Sequence, residues 1–175
     1  MELQQALEQR YSARSFVAEA VPTVQQITAI LEAGRLAPTA KNVQSQRVWV
    51  VTKPEDLEKI DAATRCRYGA PAVLIVGSDE NVAARHNLWG GTDWSFGKDD
   101  ATSALVHMML KATDLGLATC WLGAFDDTRV RADFAIPENV AIHALLDLGT
   151  PDAENGGPSP RHTSRVPLEE TVTWL

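Results

Sequence analysis

Residues 71–78, Pro-Ala-Val-Leu-Ile-Val-Gly-Ser, form an unbroken apolar run rich in β-branched side chains. A strand with one face in water alternates apolar and polar residues. This run does not alternate, so it suits a strand covered on both faces. Cover of that kind requires helices or loops above and below a sheet, and the surrounding sequence offers them. Leu3, Ala6 and Leu7 recur at helical spacing, and that helix should end near Arg10 to Ser12. Thr23 with Gln26 is a capping-box signature, and Val24, Ile27, Ile30 and Leu31 make an apolar stripe behind it. A strand is expected near 47–52, followed by a short helix in Lys53–Thr64 with Leu57 and Ile60 facing inward. Residues 79–98 lack periodicity and read as a long loop. Beyond it, Ala101, Leu105, Met108, Ala112 and Leu115 mark a long helix stopped by Gly116, with Asp99 and Asp100 placed before it as cap and dipole partners. A strand from Thr119 to Phe125, a short helix capped by Asp127 and running to Phe134, and a strand near 141–150 complete the pattern. No repeat is present. Helices mixed with four or five short strands give an α+β or α/β layered domain.

The chain of 175 residues is most simply one domain, and a domain of that length buries roughly 70% of its unfolded surface. Its formal net charge of -7 argues against nucleic acid or an anionic membrane as a general partner, so any anion site must be built locally from a few arginines. Cys66 and Cys120 are far apart in sequence and form no CxxC, which favours idle thiols over a structural disulfide. The polar N-terminus lacks the apolar core of a signal peptide, and no apolar stretch is long enough to cross a bilayer. A soluble, cytoplasmic protein is the expectation.

Phosphate-binding glycine loops of the GxxxxGK[ST] and GxGxxG types are absent, as is a GxSxG nucleophile elbow. His86, His107, His143 and His162 show no metal-ligand spacing, and Met108-Met109 belong on a core stripe. Catalysis by protein side chains alone has little support, which shifts the chemistry to a bound cofactor.

Four stretches carry more polar or basic groups than packing requires: Arg10-Tyr11-Ser12 with Arg14, the run Ala37 to Gln44, the Gly-punctuated strand Gly116 to Phe125, and Arg161 to Pro167. In this order they resemble the nitroreductase-like flavoprotein family. Its Arg-x-Ser-x-Arg/Lys-x-Phe motif is matched by Arg10, Ser12, Arg14 and Phe16, and its Ala-Pro-Ser-x-x-Asn-x-Gln segment by Ala37, Pro38, Thr39, Asn42 and Gln44. A Gly-Leu-Gly-x-x-Trp-x-Gly-x-Phe-like strand and a Pro-Arg-x-Pro-like tail follow, and the likeness spans about residues 8 to 170. Where the family commonly has Pro and an aromatic after the Asn-x-Gln, this chain has Ser45 and Gln46. Where a second basic residue precedes the tail arginine, it has Thr163, with Arg161 close by.

The resemblance implies a mainly antiparallel central sheet of four to five strands flanked by helices, in a single FMN-binding domain over residues 1–175. It also implies a homodimer with FMN at the subunit interface and residues 151–175 exchanged as a tail over the partner. Arg10, Ser12 and Arg165 match phosphate-binding positions, with Tyr11 among them. Arg14 matches the position near the N1 and C2 carbonyl edge of the ring, as electrostatic support rather than as an acid or base. Pro38, Thr39, Ala40 and Asn42 would line the ring, and Leu122 and Gly123 would pass beside it. The reaction implied is ping-pong hydride transfer from NADH or NADPH to a nitroaromatic, a quinone or a similar small acceptor. Trp89 or Trp94, in the long loop, would choose the acceptor. A dehalogenase-like or flavin-modifying reaction on the same scaffold is one rival reading. A non-catalytic flavin-binding protein is another.

Overall fold

In the computed structural model, which describes residues 1–86 and 93–175, the apolar run becomes β2 (Ala72–Asp79) and is an inner strand of a four-stranded sheet. The other strands are β1 (Gln46–Val51), β5 (Ala118–Leu122) and β6 (Val140–Gly149), in the order β1-β2-β6-β5, with every neighbouring pair antiparallel. Val73 and Ile75 point into one apolar cluster, and Ala72, Leu74 and Val76 point into another. The alternation that the sequence conceals is therefore an alternation between two cores. Each fully buried aliphatic side chain contributes about 1.5–3 kcal/mol by leaving water.

One core is covered by α3 (Pro54–Ala63), α5 (Asp127–Asp133) and the segment holding Ala13 and Phe16. The other is covered by α2 (Val24–Arg35) and α4 (Gly97–Asp114), while the short α1 (Leu3–Gln9) lies against α4. The capping box at Thr23 forms in full, with the hydroxyl accepting from the Gln26 N–H and the Gln26 side chain accepting from the Thr23 N–H. Helices α2 and α4 approach closely at Gly34, where an added Cβ would lie 2.8 Å from Met108 Cγ. Gly116 ends α4 at φ +74°, a left-handed conformation that costs glycine little.

Four sequence expectations need correction. Asp126, not Asp127, caps α5, because its carboxylate reaches the Arg129 N–H at 3.0 Å and Asp127 is already helical. Val24 begins α2 but is 82% exposed, since the buried face runs through Ile27, Ile30 and Gly34 one turn further on. Asp99 and Asp100 lie inside the first turn of α4, which begins at Gly97, rather than before it. Residues 79–98 are not loop throughout: β3 (Arg85–His86) pairs antiparallel with β4 (Trp94–Ser95). The indole of Trp94 is 55% exposed and stands edge-on to Phe96. Trp89 lies outside the described residues.

Candidate functional site

Beyond α1 the chain runs alongside β5. Ser12 forms a parallel bridge with Thr119, and the Ala13 N–H donates to the Thr119 carbonyl at 3.0 Å. Burial of Ala13 and Phe16 turns Arg14 outward. The tail returns to the same place. Phe16 bridges Pro151, and the Ser15 carbonyl accepts from the Asp152 N–H at 3.1 Å. The Asp152 carboxylate then organises a turn by accepting from the N–H groups of Glu154 and Asn155 and from the Asn155 side chain. These bonds, with that of the Asn155 amide the strongest, hold the Asp152 carboxyl below the usual range. Further along, the His162 ring sits 2.8 Å from the Glu8 carbonyl and edge-on to Tyr11.

This return creates a pocket of about 190 Å³ lined by Arg10, Tyr11, Ser12 and Arg14 from one end of the chain and by Ser159, Arg161, His162 and Arg165 from the other. Arg165 donates to the carbonyls of His162 (2.6 Å) and Ser164 (2.7 Å), which braces the tail where it lines the pocket. None of the four arginines forms an ion pair among the described residues. In a chain of net charge -7, four uncompensated guanidiniums around one small cavity make a site for an anion, and their planar forks suit phosphate oxygens. Thr163 is not among the lining residues and Arg161 is. Ser159 and His162 were missed in the sequence, where nothing but their nearness to Arg161 marked them.

Downstream along β5, the Leu122 side chain is buried in the core, so only its main chain faces outward. Gly123 follows just past the strand, exposed, with open space where a Cβ would sit. No internal packing requires a glycine there, so a close external approach accounts for it better.

Pro38, Thr39, Ala40 and Asn42 are elsewhere. They precede β1 at the opposite edge of the sheet, beside the start of α4, whereas Thr113 near its end flanks Tyr11. The intervening stretch of α4 is about 20 Å long at 1.5 Å per residue. One protomer therefore presents two separate groups of candidate residues: Arg10, Tyr11, Ser12, Arg14, Arg165, Leu122 and Gly123 near β5, and Pro38, Thr39, Ala40 and Asn42 near β1.

Beneath Arg14 lies a titratable cluster absent from the sequence reading. The Tyr68 phenol is raised above its usual pKa, first by the neighbouring Cys66 thiol and then by burial, with a smaller opposing effect of Arg14. Cys66 and Cys120 are free thiols, and burial, with a contribution from Asp147, pushes Cys120 up to about 11. Asp147 pairs across the sheet with Cys120, is fully buried and, among the described residues, has no hydrogen-bond partner on either carboxyl oxygen. Burial pushes its pKa up to about 9, against a smaller opposing effect of Arg67. Ser78, Glu80 and His143 also converge, but the Ser78 hydroxyl stands between the other two, donating to Glu80 and accepting from His143 Nε2. That order is the wrong one for a hydrolytic triad, in which the histidine stands in the middle.

Comparison with known proteins identifies the family and the fold. The nitroreductase family's sequence profile matches residues 7–68 and 67–150. An NADH dehydrogenase of Thermus thermophilus is 32% identical over 179 aligned positions, covering 83% of this chain and 82% of that one. A protein of Methanothermobacter thermautotrophicus, described as a putative NADH dehydrogenase/NAD(P)H nitroreductase, is 31% identical, covering 90% and 81%. Among solved structures, a nitroreductase family protein of Clostridium difficile superposes with a TM-score of 0.88 at 29% identity, over 99% of this chain and 98% of that one. A putative nitroreductase of Desulfovibrio desulfuricans, solved in complex with FMN, gives 0.82 at 25% identity, over 100% and 97%. With the profile, the relatives and the superposed structures in agreement, this chain belongs to the nitroreductase family.

Proposed function

We propose that the protein is an FMN-dependent oxidoreductase that takes hydride from NADH or NADPH and delivers it by a ping-pong sequence to a small oxidised acceptor, a nitroaromatic or a quinone. The observation that carries this reading is the pocket of four arginines, contributed by both ends of an acidic chain and free of ion pairs among the described residues. A phosphate dianion fits that donor set. Arg10, Ser12, Arg161 and Arg165 would hold it, while Arg14 would offer its guanidinium to the N1 and C2 carbonyl edge of the ring. A fixed cation there favours negative charge on that edge. FMN, when bound, supplies the two-electron chemistry. The protein binds, orients and neutralises.

Pro38, Thr39, Ala40 and Asn42 would act from a second copy of the chain. Their distance from the arginine pocket within one protomer supports a homodimer with the cofactor between subunits. So does the end of the tail, where Val166, Leu168, Val172 and Trp174 are all exposed, Trp174 at 88%. Apolar side chains in that state need a surface to cover them, and the partner is the surface we assign to residues 166–175. The free thiols of Cys66 and Cys120 support a reducing, cytoplasmic setting. The acceptor would enter over the exposed side of the ring, near Trp94.

Anaerobic NADH added to the FMN-loaded protein should bleach the flavin absorbance, and a quinone or nitroaromatic added afterwards should restore it. Protein that takes up no FMN, or bound FMN that neither NADH nor NADPH reduces, would refute the reading.

A further inference from the structure

The segment at 39–45 follows an unusual backbone path. Lys41, Asn42 and Gln44 have φ values of 54°, 57° and 55°, so three of four consecutive residues, none of them glycine, are left-handed. A path of this kind persists only where the surroundings over-determine it, and such strain gathers at ligand-binding segments. Within the segment, the Thr39 hydroxyl accepts from the Gln44 N–H at 3.1 Å, and the Gln44 amide donates to the Asn42 carbonyl at 3.2 Å. Those bonds close the loop on itself without attaching it to anything.

The Ser45 carbonyl accepts from the Asp79 N–H at 2.8 Å where β1 begins, and the side-chain attachment comes from Asp100. Its side chain is buried at 3% exposure in the first turn of α4, 55 residues after Ser45 in the chain, and each carboxyl oxygen has one task. One oxygen accepts from the Ala40 N–H at 2.8 Å, and the other accepts from the buried Ser45 hydroxyl at 2.7 Å. The two bonds clamp the segment at both ends of its left-handed stretch and tie it to the long helix. An acidic residue at a helix start is often explained by the helix dipole alone. Dipole complementarity needs no buried carboxyl and no bonds to a separate loop.

We propose that Asp100 is a positioning residue for the cofactor. Through Ala40 and Ser45 it would hold the strained 39–45 loop in the one path that presents Asn42 and Thr39 to the flavin of the neighbouring subunit. This inference rests on the flavin reading above. It goes beyond that reading by making the presentation of Asn42 conditional on a residue that does not itself touch the cofactor.

A double-mutant cycle tests it, with the FMN dissociation constant read by fluorescence quenching and the thermal midpoint of the apo protein as a check on folding. Asn42→Ala and Asp100→Leu are each expected to weaken FMN binding by about tenfold, the cost of one lost hydrogen bond to a ligand. Asn42→Ala placed in the Asp100→Leu background is expected to add almost nothing, because Asn42 is already out of place. Asp100→Asn retains an acceptor for the Ala40 N–H and should restore affinity to within about threefold of wild type. If Asp100→Leu does not fold, Ser45→Ala takes its place in the cycle with the same expected non-additivity. Costs that multiply, as independent sites require, would overturn the inference, and so would an Asp100→Leu protein that binds FMN as wild type does. Wild-type protein that binds no FMN would overturn the flavin reading itself, an outcome distinct from either.

Discussion

Arg10→Ala and Arg165→Ala are each expected to weaken FMN binding by roughly 10- to 100-fold, and the double replacement should leave a protein that purifies colourless. The magnitude follows from hydrogen bonds to a charged partner, which contribute about 1.5–3 kcal/mol each. The two residues differ in what else they do. The Arg10 guanidinium has no partner among the described residues, so its removal should leave the thermal midpoint of the apo protein unchanged. Arg165 also donates to the carbonyls of His162 and Ser164, so its loss should loosen the tail as well as the ligand. Lysine at either position should recover only part of the affinity, because an ammonium provides a charge without the planar fork. Equilibrium dialysis of FMN against each variant measures this. Unchanged affinity in Arg10→Ala would remove the phosphate from this pocket.

Asp147→Asn is expected to gain stability relative to wild type as pH rises. The wild-type carboxyl has its folded pKa raised to about 9 from 3.8, with burial as the first cause. Below pH 4 both folded and unfolded chains keep the proton, and the residue contributes no pH dependence. Between pH 4 and 9 the unfolded chain ionises while the folded one does not, so wild-type stability falls by up to about 1.4 kcal/mol per pH unit. Asparagine has no proton to lose, so its stability relative to wild type should rise by about 4 kcal/mol between pH 4 and pH 7. Carboxylates whose pKa is lowered in the fold, such as Asp79, Asp114 and Asp152, are common to both proteins and cancel in the difference. Urea denaturation of both proteins at pH 4, 6 and 8 provides the comparison. Parallel curves would mean that the buried carboxyl is ionised in the fold, with Arg67 as its counter-ion.

The layered fold was legible because its signals are local or periodic. An apolar run without alternation identified the doubly covered strand β2, the Thr23–Gln26 box identified the start of α2, and Gly116 identified the end of α4. Local signals failed where two neighbours offered the same chemistry. Asp126 and Asp127 are equivalent as letters, and only the reach to the Arg129 N–H separates them. Val24 fits the helical spacing of the stripe, but tertiary packing left it outside.

The candidate site was legible through its motif residues and opaque in its supports. The arginines stood out as basic groups in an acidic chain. Asp100 looked like a helix-start acid because its true partners, Ala40 and Ser45, are 60 and 55 residues away. Asp147 sat unnoticed in a strand, although a carboxyl on the same face as Leu145 was a signal in itself: that face is core, and a charge there must be paired or neutralised. No periodicity reveals such contacts, because they depend on which strands and helices become neighbours.

The central claim is that guanidinium groups from both ends of the chain hold the phosphate of a flavin. It is tested most directly by comparing the dissociation constants of FMN and riboflavin, two ligands that share a ring and differ in that phosphate. The account predicts that FMN binds at least about 100-fold more tightly at low salt, with the gap narrowing as ionic strength rises. Equal affinity for the two ligands would contradict it.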